Sequence, residues 1–117
     1  MYWRAETASE RLDGQILAKT AGSLLAERKS LNGWLYIGPA ALVFIGDGAI
    51  YKGITAPTNA DRILFQTYRE LGLSVLKAPR WAVNGVLTFA NGIELMGQKS
   101  SMKLLHRLTT DQAPPVL

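Results

Sequence analysis

Two apolar stretches near the middle of the chain are separated by a short turn. Residues 33–37 and 42–45 are rich in aromatic and β-branched side chains, which suit a pleated, packed surface. Gly38 and Pro39 favour a turn between them, because proline fixes φ and glycine leaves the strand without steric cost. The pattern predicts a β-hairpin from Gly33 to Ile45. Both faces of this hairpin are apolar, so we expect it to be covered on both sides or closed into a barrel.

A second pair of apolar runs has a stronger turn signal. The runs Val83–Phe89 and Ile93–Met96 flank the dipeptide Asn91-Gly92. Both residues of an Asn-Gly pair accept the positive φ angles of a type I′ turn. This segment therefore predicts a second hairpin, closed by a type I′ turn.

The segment from Glu10 to Lys29 permits two interpretations. Its apolar residues recur near i, i+4 and i+8, which favours an amphipathic helix. They are Leu12, Ile16, Leu17, Ala21, Leu24 and Leu25. Gly14 and Gly22 oppose this helix, since each costs about 1 kcal/mol relative to alanine. A strand within residues 15–25 is the alternative, and the pattern does not separate the two.

The middle of the chain predicts shorter elements. Ile50-Tyr51-Lys52 is typical of a short strand, and the runs 63–67 and 71–77 are typical of two more. A helix over residues 60–71 is an alternative. Pro79 indicates a turn or a strand edge, because proline cannot donate a hydrogen bond to a sheet.

The C-terminal region predicts one helix, from about Ser100 to Leu108. Met102, Leu105 and Leu108 form its apolar stripe, and Ser100 or Ser101 can cap it. A helix of about nine residues does not persist alone, so we expect it to dock on the sheet. The last residues, 111–117, contain two prolines and predict a tail.

The composition fits one domain with a buried core. The chain has 117 residues, of which 48% are hydrophobic. We divide it into an N-terminal extension (1–13), a mainly β domain with a C-terminal helix (14–109) and a tail (110–117). It contains no cysteine, its first residues lack the apolar core of a signal peptide, and no apolar run approaches about 20 residues. We therefore expect a soluble cytoplasmic protein.

The sequence offers little catalytic chemistry. His106 is the single histidine, and it lies in the predicted C-terminal helix. The carboxylates are scattered, no cluster has metal-ligand spacing, and no glycine-rich phosphate loop is present. We expect a protein that is not an enzyme and that has no cofactor and no metal site.

The two hairpins carry a family resemblance. Residues 35–44, Leu-Tyr-Ile-Gly-Pro-Ala-Ala-Leu-Val-Phe, resemble the Leu-Tyr-Leu-Thr-Asn-x-Arg-Leu-Ile-Phe signature of the GRAM domain and related bacterial pleckstrin-homology-like domains. Residues 68–71 with Val75 are similar to a later strand of that family, and residues 84–95 resemble its closing hairpin. The predicted C-terminal helix is similar to the one that plugs the family's barrel. The resemblance covers about residues 14–108.

The resemblance implies a fold and a class of function. The fold is a pleckstrin-homology-like small barrel, or two packed antiparallel sheets, with a C-terminal helix and a strand within residues 15–25. The function is lipid or protein binding without catalysis. Where the family has Thr-Asn and basic residues at the first hairpin tip, this chain has Gly-Pro-Ala-Ala, which cannot neutralise phosphate.

Two kinds of partner follow as hypotheses. A protein partner or self-association would use apolar residues, with Pro39, Ala40 and Trp81 as interface candidates. An anionic lipid headgroup would need basic residues close to turns, and these candidates are Lys52, Lys77, Arg80 and Lys99. The net charge of +4 and the Arg80-Trp81 pair suggest nucleic acid as a third partner, which we disfavour because no stacking platform is evident.

Overall fold

The computed structural model describes residues 8–26, 29–46, 50–51, 54–55 and 63–112. Within these ranges the chain is mainly β. The strands are β1 (Ala18–Ala26), β2 (Lys29–Ile37), β3 (Ala41–Gly46), β4 (Ile50–Tyr51), β5 (Ile54–Thr55), β6 (Ile63–Thr67), β7 (Ser74–Lys77), β8 (Asn84–Phe89) and β9 (Glu94–Gln98). A helical turn covers residues 8–11, a short helix covers Tyr68–Leu71, and a C-terminal helix covers Lys99–Gln112.

Seven strands form one antiparallel sheet in the order β6-β3-β2-β1-β9-β8-β7. The sheet curls into a half-barrel, and its inner face buries one core against the C-terminal helix. Leu35, Phe44, Leu87 and Leu95 come from four strands of this core, and Leu105 comes from the helix. The prediction of a mainly β, small-barrel fold with a docked C-terminal helix is confirmed.

The first hairpin has the predicted strands and two buried faces. β2 and β3 pair from Gly33 opposite Gly46 to Ile37 opposite Leu42. One face of the pair contributes to the inner core. The opposite face forms a second buried cluster, in which Tyr36, Val43 and Ile45 pack with Ala8 and Leu12 of the N-terminal segment. The expectation that both faces are covered is therefore confirmed.

Within the segment from Glu10 to Lys29 the structure has the strand β1, and the helix favoured by the apolar spacing is wrong. The helical turn stops where Asp13 and Gly14 adopt positive φ angles of 53° and 76°. Beyond this turn the burial follows the two-residue period of a strand. Thr20 and Leu24 are buried on one face of the sheet, whereas Lys19 is exposed on the other. β1 pairs with β2 along its whole length and with β9 from Gly22 to Leu25. These hydrogen bonds on both edges outweigh the helical periodicity.

A row of glycines crosses the inner face of the sheet. The strand registers align five of them on neighbouring strands, Gly46, Gly33, Gly22, Gly97 and Gly85. A Cβ atom on Gly22 would lie 2.0 Å from the carbonyl oxygen of Met96, and one on Gly97 would lie 3.1 Å from Met102 Cε of the helix. The row therefore lets β1 and β9 approach each other and lets the helix settle on the sheet.

The second hairpin has the predicted strands but a different turn. Gly92 has a φ of 94°, whereas Asn91 has a negative φ. The Gly92 N–H donates to the carbonyl of Phe89, and the Phe89 N–H donates to the carbonyl of Ile93, both at 2.9 Å. This is a three-residue loop with glycine in the left-handed position, so the type I′ prediction is wrong. The pairing of Thr88 with Glu94 fixes the longer loop.

A helical turn separates β6 from β7. The strand predicted over 63–67 is confirmed, but Leu71 ends the short helix and β7 begins only at Ser74. Thr67 and Glu70 form a capping box at the start of this helix, and the hydrogen bonds from Thr67 hold the pKa of the Glu70 carboxyl below its usual range. The short strand predicted over 50–52 is present at Ile50–Tyr51, and Lys52 lies outside the described residues.

The C-terminal helix is longer than predicted at both ends. It begins at Lys99, so neither Ser100 nor Ser101 occupies its N-cap, and it continues to Gln112 into the predicted tail. Met102 and Leu105 are fully buried, and Leu108 packs against the same core, as the apolar stripe predicted.

We expect Gly22→Ala to be among the most destabilising single substitutions in the chain. The added Cβ would meet backbone rather than a mobile side chain, so β1 and β9 would have to separate. The expected loss is about 3 kcal/mol of unfolding free energy, measured by urea denaturation. A loss below about 0.5 kcal/mol would show that the two strands tolerate a wider spacing.

Tyr68→Phe tests the buried hydrogen bond that holds the short helix to the first hairpin. The Tyr68 hydroxyl is fully buried and donates to the carbonyl of Gly38 at 2.5 Å. Its removal leaves that carbonyl unpaired and should cost about 1–3 kcal/mol at neutral pH, measured by urea denaturation.

The same variant predicts a pH dependence. Burial raises the pKa of Tyr68 well above 10, despite the opposing hydrogen bond to Gly38. Above about pH 10 the unfolded wild-type chain gains by ionising this tyrosine whereas the folded chain does not. The wild type should therefore lose stability as pH rises through this region, and the difference from Tyr68→Phe should shrink. A difference that stays constant to about pH 11 would contradict the assignment.

Candidate functional site

A tight turn between β7 and β8 carries the most exposed aromatic side chain of the described residues. The turn runs from Pro79 to Ala82, and the Ala82 N–H donates to the Pro79 carbonyl at 3.0 Å. Trp81 lies within it with 86% of its surface exposed, and Val83 follows at 80%. Because large apolar side chains gain free energy on burial, a Trp held out in water points to a contact surface.

Lys99 holds this turn in place from the start of the C-terminal helix. Its Nζ donates to the carbonyl oxygens of Pro79, at 2.5 Å, and Arg80, at 3.4 Å, while its N–H donates to the Val83 carbonyl at 3.2 Å. A cation in the first turn of a helix opposes the helix dipole by about 0.3–1 kcal/mol. The carbonyl contacts offset that cost and fix the backbone around Trp81.

Two cations accompany the exposed tryptophan. Lys77 ends β7 and Arg80 lies in the turn, and both side chains are exposed. Within the described part of the chain, the Arg80 guanidinium makes no ion pair or hydrogen bond. We call the side chains of Lys77, Arg80, Trp81 and Val83 the turn surface.

The outer face of the adjoining half-sheet is also partly apolar. Leu25 of β1, Met96 of β9 and Val75 of β7 point away from the core with 42%, 39% and 63% of their surfaces exposed. A depression of about 220 Å³ lies between Leu25 and Met96 and is lined by Ser23, Leu25, Val86, Glu94 and Met96. No described residue of the chain covers this face, whereas the N-terminal segment covers the outer face of β2 and β3.

The tip of the first hairpin forms a second, separate concavity. Pro39 and Ala40 line a cleft of about 230 Å³ together with Arg11, Leu12 and Phe65 among other residues. Gln112 at the end of the C-terminal helix donates its side-chain N–H to the Pro39 carbonyl. The helix starts beside the Trp81 turn and ends beside this tip, so its 14 residues separate the two sites.

The sequence-based site residues thus fall into three groups. Lys77, Arg80, Lys99 and Trp81 come together at one turn, and the Lys99 ammonium is bound to backbone carbonyls of that turn. Pro39 and Ala40 lie at the other cleft, and Lys52 lies outside the described residues. Sequence reasoning missed the outward side chains Leu25, Val75 and Met96. Side chains alternate between the two faces along β9. Met96 follows the buried Leu95 and therefore lies on the other face, so this alternation could have indicated its outward position.

The single histidine takes part in a packing contact. Its Nδ1 lies 2.7 Å from the Ser74 hydroxyl, which lies 2.9 Å from the Thr109 hydroxyl. Thr109 also donates its hydroxyl hydrogen to the His106 carbonyl at 3.0 Å. These contacts tie β7 to the helix.

The described residues contain no group of three or more His, Cys, Asp or Glu side chains that could hold a metal ion. None of their helices has the length and apolar character needed to cross a bilayer.

We expect Lys99→Met to loosen the Trp81 turn without unfolding the domain. Methionine keeps an unbranched side chain that is one atom shorter and removes both contacts with the turn carbonyls. Hydrogen exchange at the Ala82 amide should accelerate about tenfold, whereas global stability should fall by about 1 kcal/mol or less. Lys103→Met, on an exposed position of the same helix, is the control and should leave that amide unchanged. Equal protection in both variants would contradict the clamp.

Comparisons with known proteins bear on the fold. No family model matches the chain, and no curated protein matches it. Among solved structures, the chain is similar to the C-terminal domain of an unknown protein from Leishmania infantum, with a TM-score of 0.59 and 10% sequence identity. The match covers 92% of this chain and 96% of that chain. At such low identity the likeness shows a shared fold alone.

Proposed function

We propose that this chain is a non-catalytic interaction module of the pleckstrin-homology-like or GRAM type, and that it binds a protein partner through the turn surface and the adjoining outer sheet face. The observation that carries the proposal is Trp81, which is 86% exposed on a turn clamped by Lys99. Trp and Arg dominate the energetics of protein interfaces, and here Arg80 lies next to Trp81.

The Trp81 turn is already ordered in the free chain, which supports a binding role for it rather than that of an exposed loop without function. Ordering a flexible loop costs free energy on association, and a turn that is already hydrogen-bonded to a helix avoids most of that cost. The strand face beside the turn adds exposed apolar area at Leu25, Val75 and Met96. Glu94 is the one charged residue that lines the depression on this face, and its side chain is half-buried.

An anionic membrane surface is the second candidate, favoured by the Lys77 and Arg80 side chains beside Trp81. Each cation near such a surface contributes about 1 kcal/mol, so the two supply about 2 kcal/mol. Lys99 adds little, since its ammonium already contacts two carbonyls. Stable membrane attachment needs a second signal of comparable size, which makes the protein partner the stronger candidate. The absence of cysteine supports a cytoplasmic location for either function.

Site-specific photocrosslinking in the cell of origin tests the protein partner. A photoreactive phenylalanine derivative at position 81 should give a discrete adduct, which mass spectrometry identifies as another copy or as a different protein. The same group at position 107, exposed on the C-terminal helix, is the control and should give none. Absence of an adduct at position 81, or equal adducts at both positions, would contradict the proposal.

Co-sedimentation with vesicles tests the membrane candidate. If protein contact is the function, the chain should pellet equally weakly with phosphatidylcholine vesicles and with vesicles containing phosphatidylserine. Strong pelleting with the anionic vesicles alone, abolished by Trp81→Ala, would favour the membrane instead.

A further inference from the structure

We propose that the partner of the turn surface is a second copy of this chain, and that Trp81 of each copy docks in the depression of the other. The inference rests on the proposed function and names its partner. The depression is the space lined by Ser23, Leu25, Val86, Glu94 and Met96 on the outer sheet face.

The depression suits one large apolar side chain. Its volume of about 220 Å³ is below the ~300–1,000 Å³ of most small-molecule sites. Leu25, Val86 and Met96 provide apolar walls, and Leu25 and Met96 keep 42% and 39% of their surfaces exposed. An indole inserted there would bury its own exposed surface and that of the walls together.

Charge complementarity favours the second copy. Glu94 is the one charged residue that lines the depression, whereas the turn surface carries Arg80 and Lys77. Among the described residues, neither the Glu94 carboxylate nor the Arg80 guanidinium has an ionic partner. Docking of Trp81 would bring the adjacent Arg80 close to the partner copy's carboxylate, and such pairing steers association and selects the partner.

The depression also offers an acceptor for the indole N–H. Ser23 Oγ donates its hydrogen to Asn32 Oδ1 at 2.8 Å, so its lone pairs stay available. A buried tryptophan usually needs such a hydrogen-bond partner. The site therefore satisfies the apolar, polar and charged parts of an Arg-Trp pair.

The placement of the two features permits a closed dimer. The turn leads into β8, and Val86 of the depression lies on that same strand. Trp81 is 86% exposed, so it does not fill the depression of its own chain. A two-fold axis between the turn and the depression makes both contacts at once, which is the isologous arrangement of most dimers. With two small contacts, we expect a dissociation constant in the micromolar range.

Charge reversal with rescue tests the proposal, with sedimentation velocity of the full chain from about 1 μM to 1 mM as the measurement. The wild type should pass from monomer to dimer. Trp81→Ala should raise the dissociation constant at least about 30-fold, and Arg80→Glu or Glu94→Arg should each raise it about tenfold. The double variant should return to within about threefold of the wild type. Trp81 and Arg80 are exposed and Glu94 is half-buried on the outer sheet face, so circular dichroism is used to verify that each variant is folded before its dissociation constant is compared.

Lys103→Glu is the matched control, because it changes the net charge as Arg80→Glu does but lies on an exposed part of the C-terminal helix. It should leave the dissociation constant unchanged. A wild type that stays monomeric to 1 mM, an association that Trp81→Ala does not weaken, or a double variant without rescue would each overturn the proposal. A monomeric chain that still gives a position-81 adduct with a different protein would overturn the second copy as partner and leave the proposed function standing.

Discussion

The double pairing of β1 at Gly22 is the interaction on which the rest of this structure depends. β1 joins the β2-β3-β6 half of the sheet to the β9-β8-β7 half, and Gly22 lies opposite Gly33 on one side and Gly97 on the other. Both contacts belong to a glycine row that continues to Gly46 and Gly85. Without side chains along this line, the sheet can curl around the C-terminal helix and Met102 can rest on Gly85 and Gly97. One line of missing Cβ atoms thus sets both the curvature and the seat of the helix.

The seated helix in turn organises the two ends of the molecule. Its first residue, Lys99, reaches the carbonyls of the Trp81 turn, and its last, Gln112, reaches the carbonyl of Pro39. The two halves of the sheet's outer face differ in how far they are covered by the rest of the described chain. The N-terminal segment covers the side formed by β2 and β3, whereas the side formed by β1, β9, β8 and β7 keeps exposed apolar residues among those described. The uncovered half and the clamped turn are neighbours, and this is the region through which we propose binding.

Local chemistry allowed the hairpins and the C-terminal helix to be predicted, because strand propensity, turn residues and an apolar stripe act over a few positions. The N-terminal strand could not be separated from a helix, since the spacing from Leu12 to Leu25 fits both. The choice depends on pairing with Gly97, which lies far away in sequence. The prediction of a type I′ turn at Asn91 was wrong for a similar reason, because the register of Thr88 with Glu94 sets the loop length. Trp81 and Arg80 could be chosen from the sequence as candidate contact residues, whereas the clamp by Lys99 and the outward position of Met96 depend on tertiary placement.

Hydroxyl-radical footprinting of the full chain tests most directly whether the turn and the outer sheet face are an open surface. Met96 and Met102 form an internal pair of the same residue type, the first 39% exposed and the second fully buried. At about 10 nM, well below the micromolar dissociation constant expected for the dimer, the account predicts rapid oxidation of Trp81 and Met96 and slow oxidation of Met102. Protection of Trp81 and Met96 to the level of Met102 at that concentration would mean that the chain covers this surface itself, and it would contradict the account.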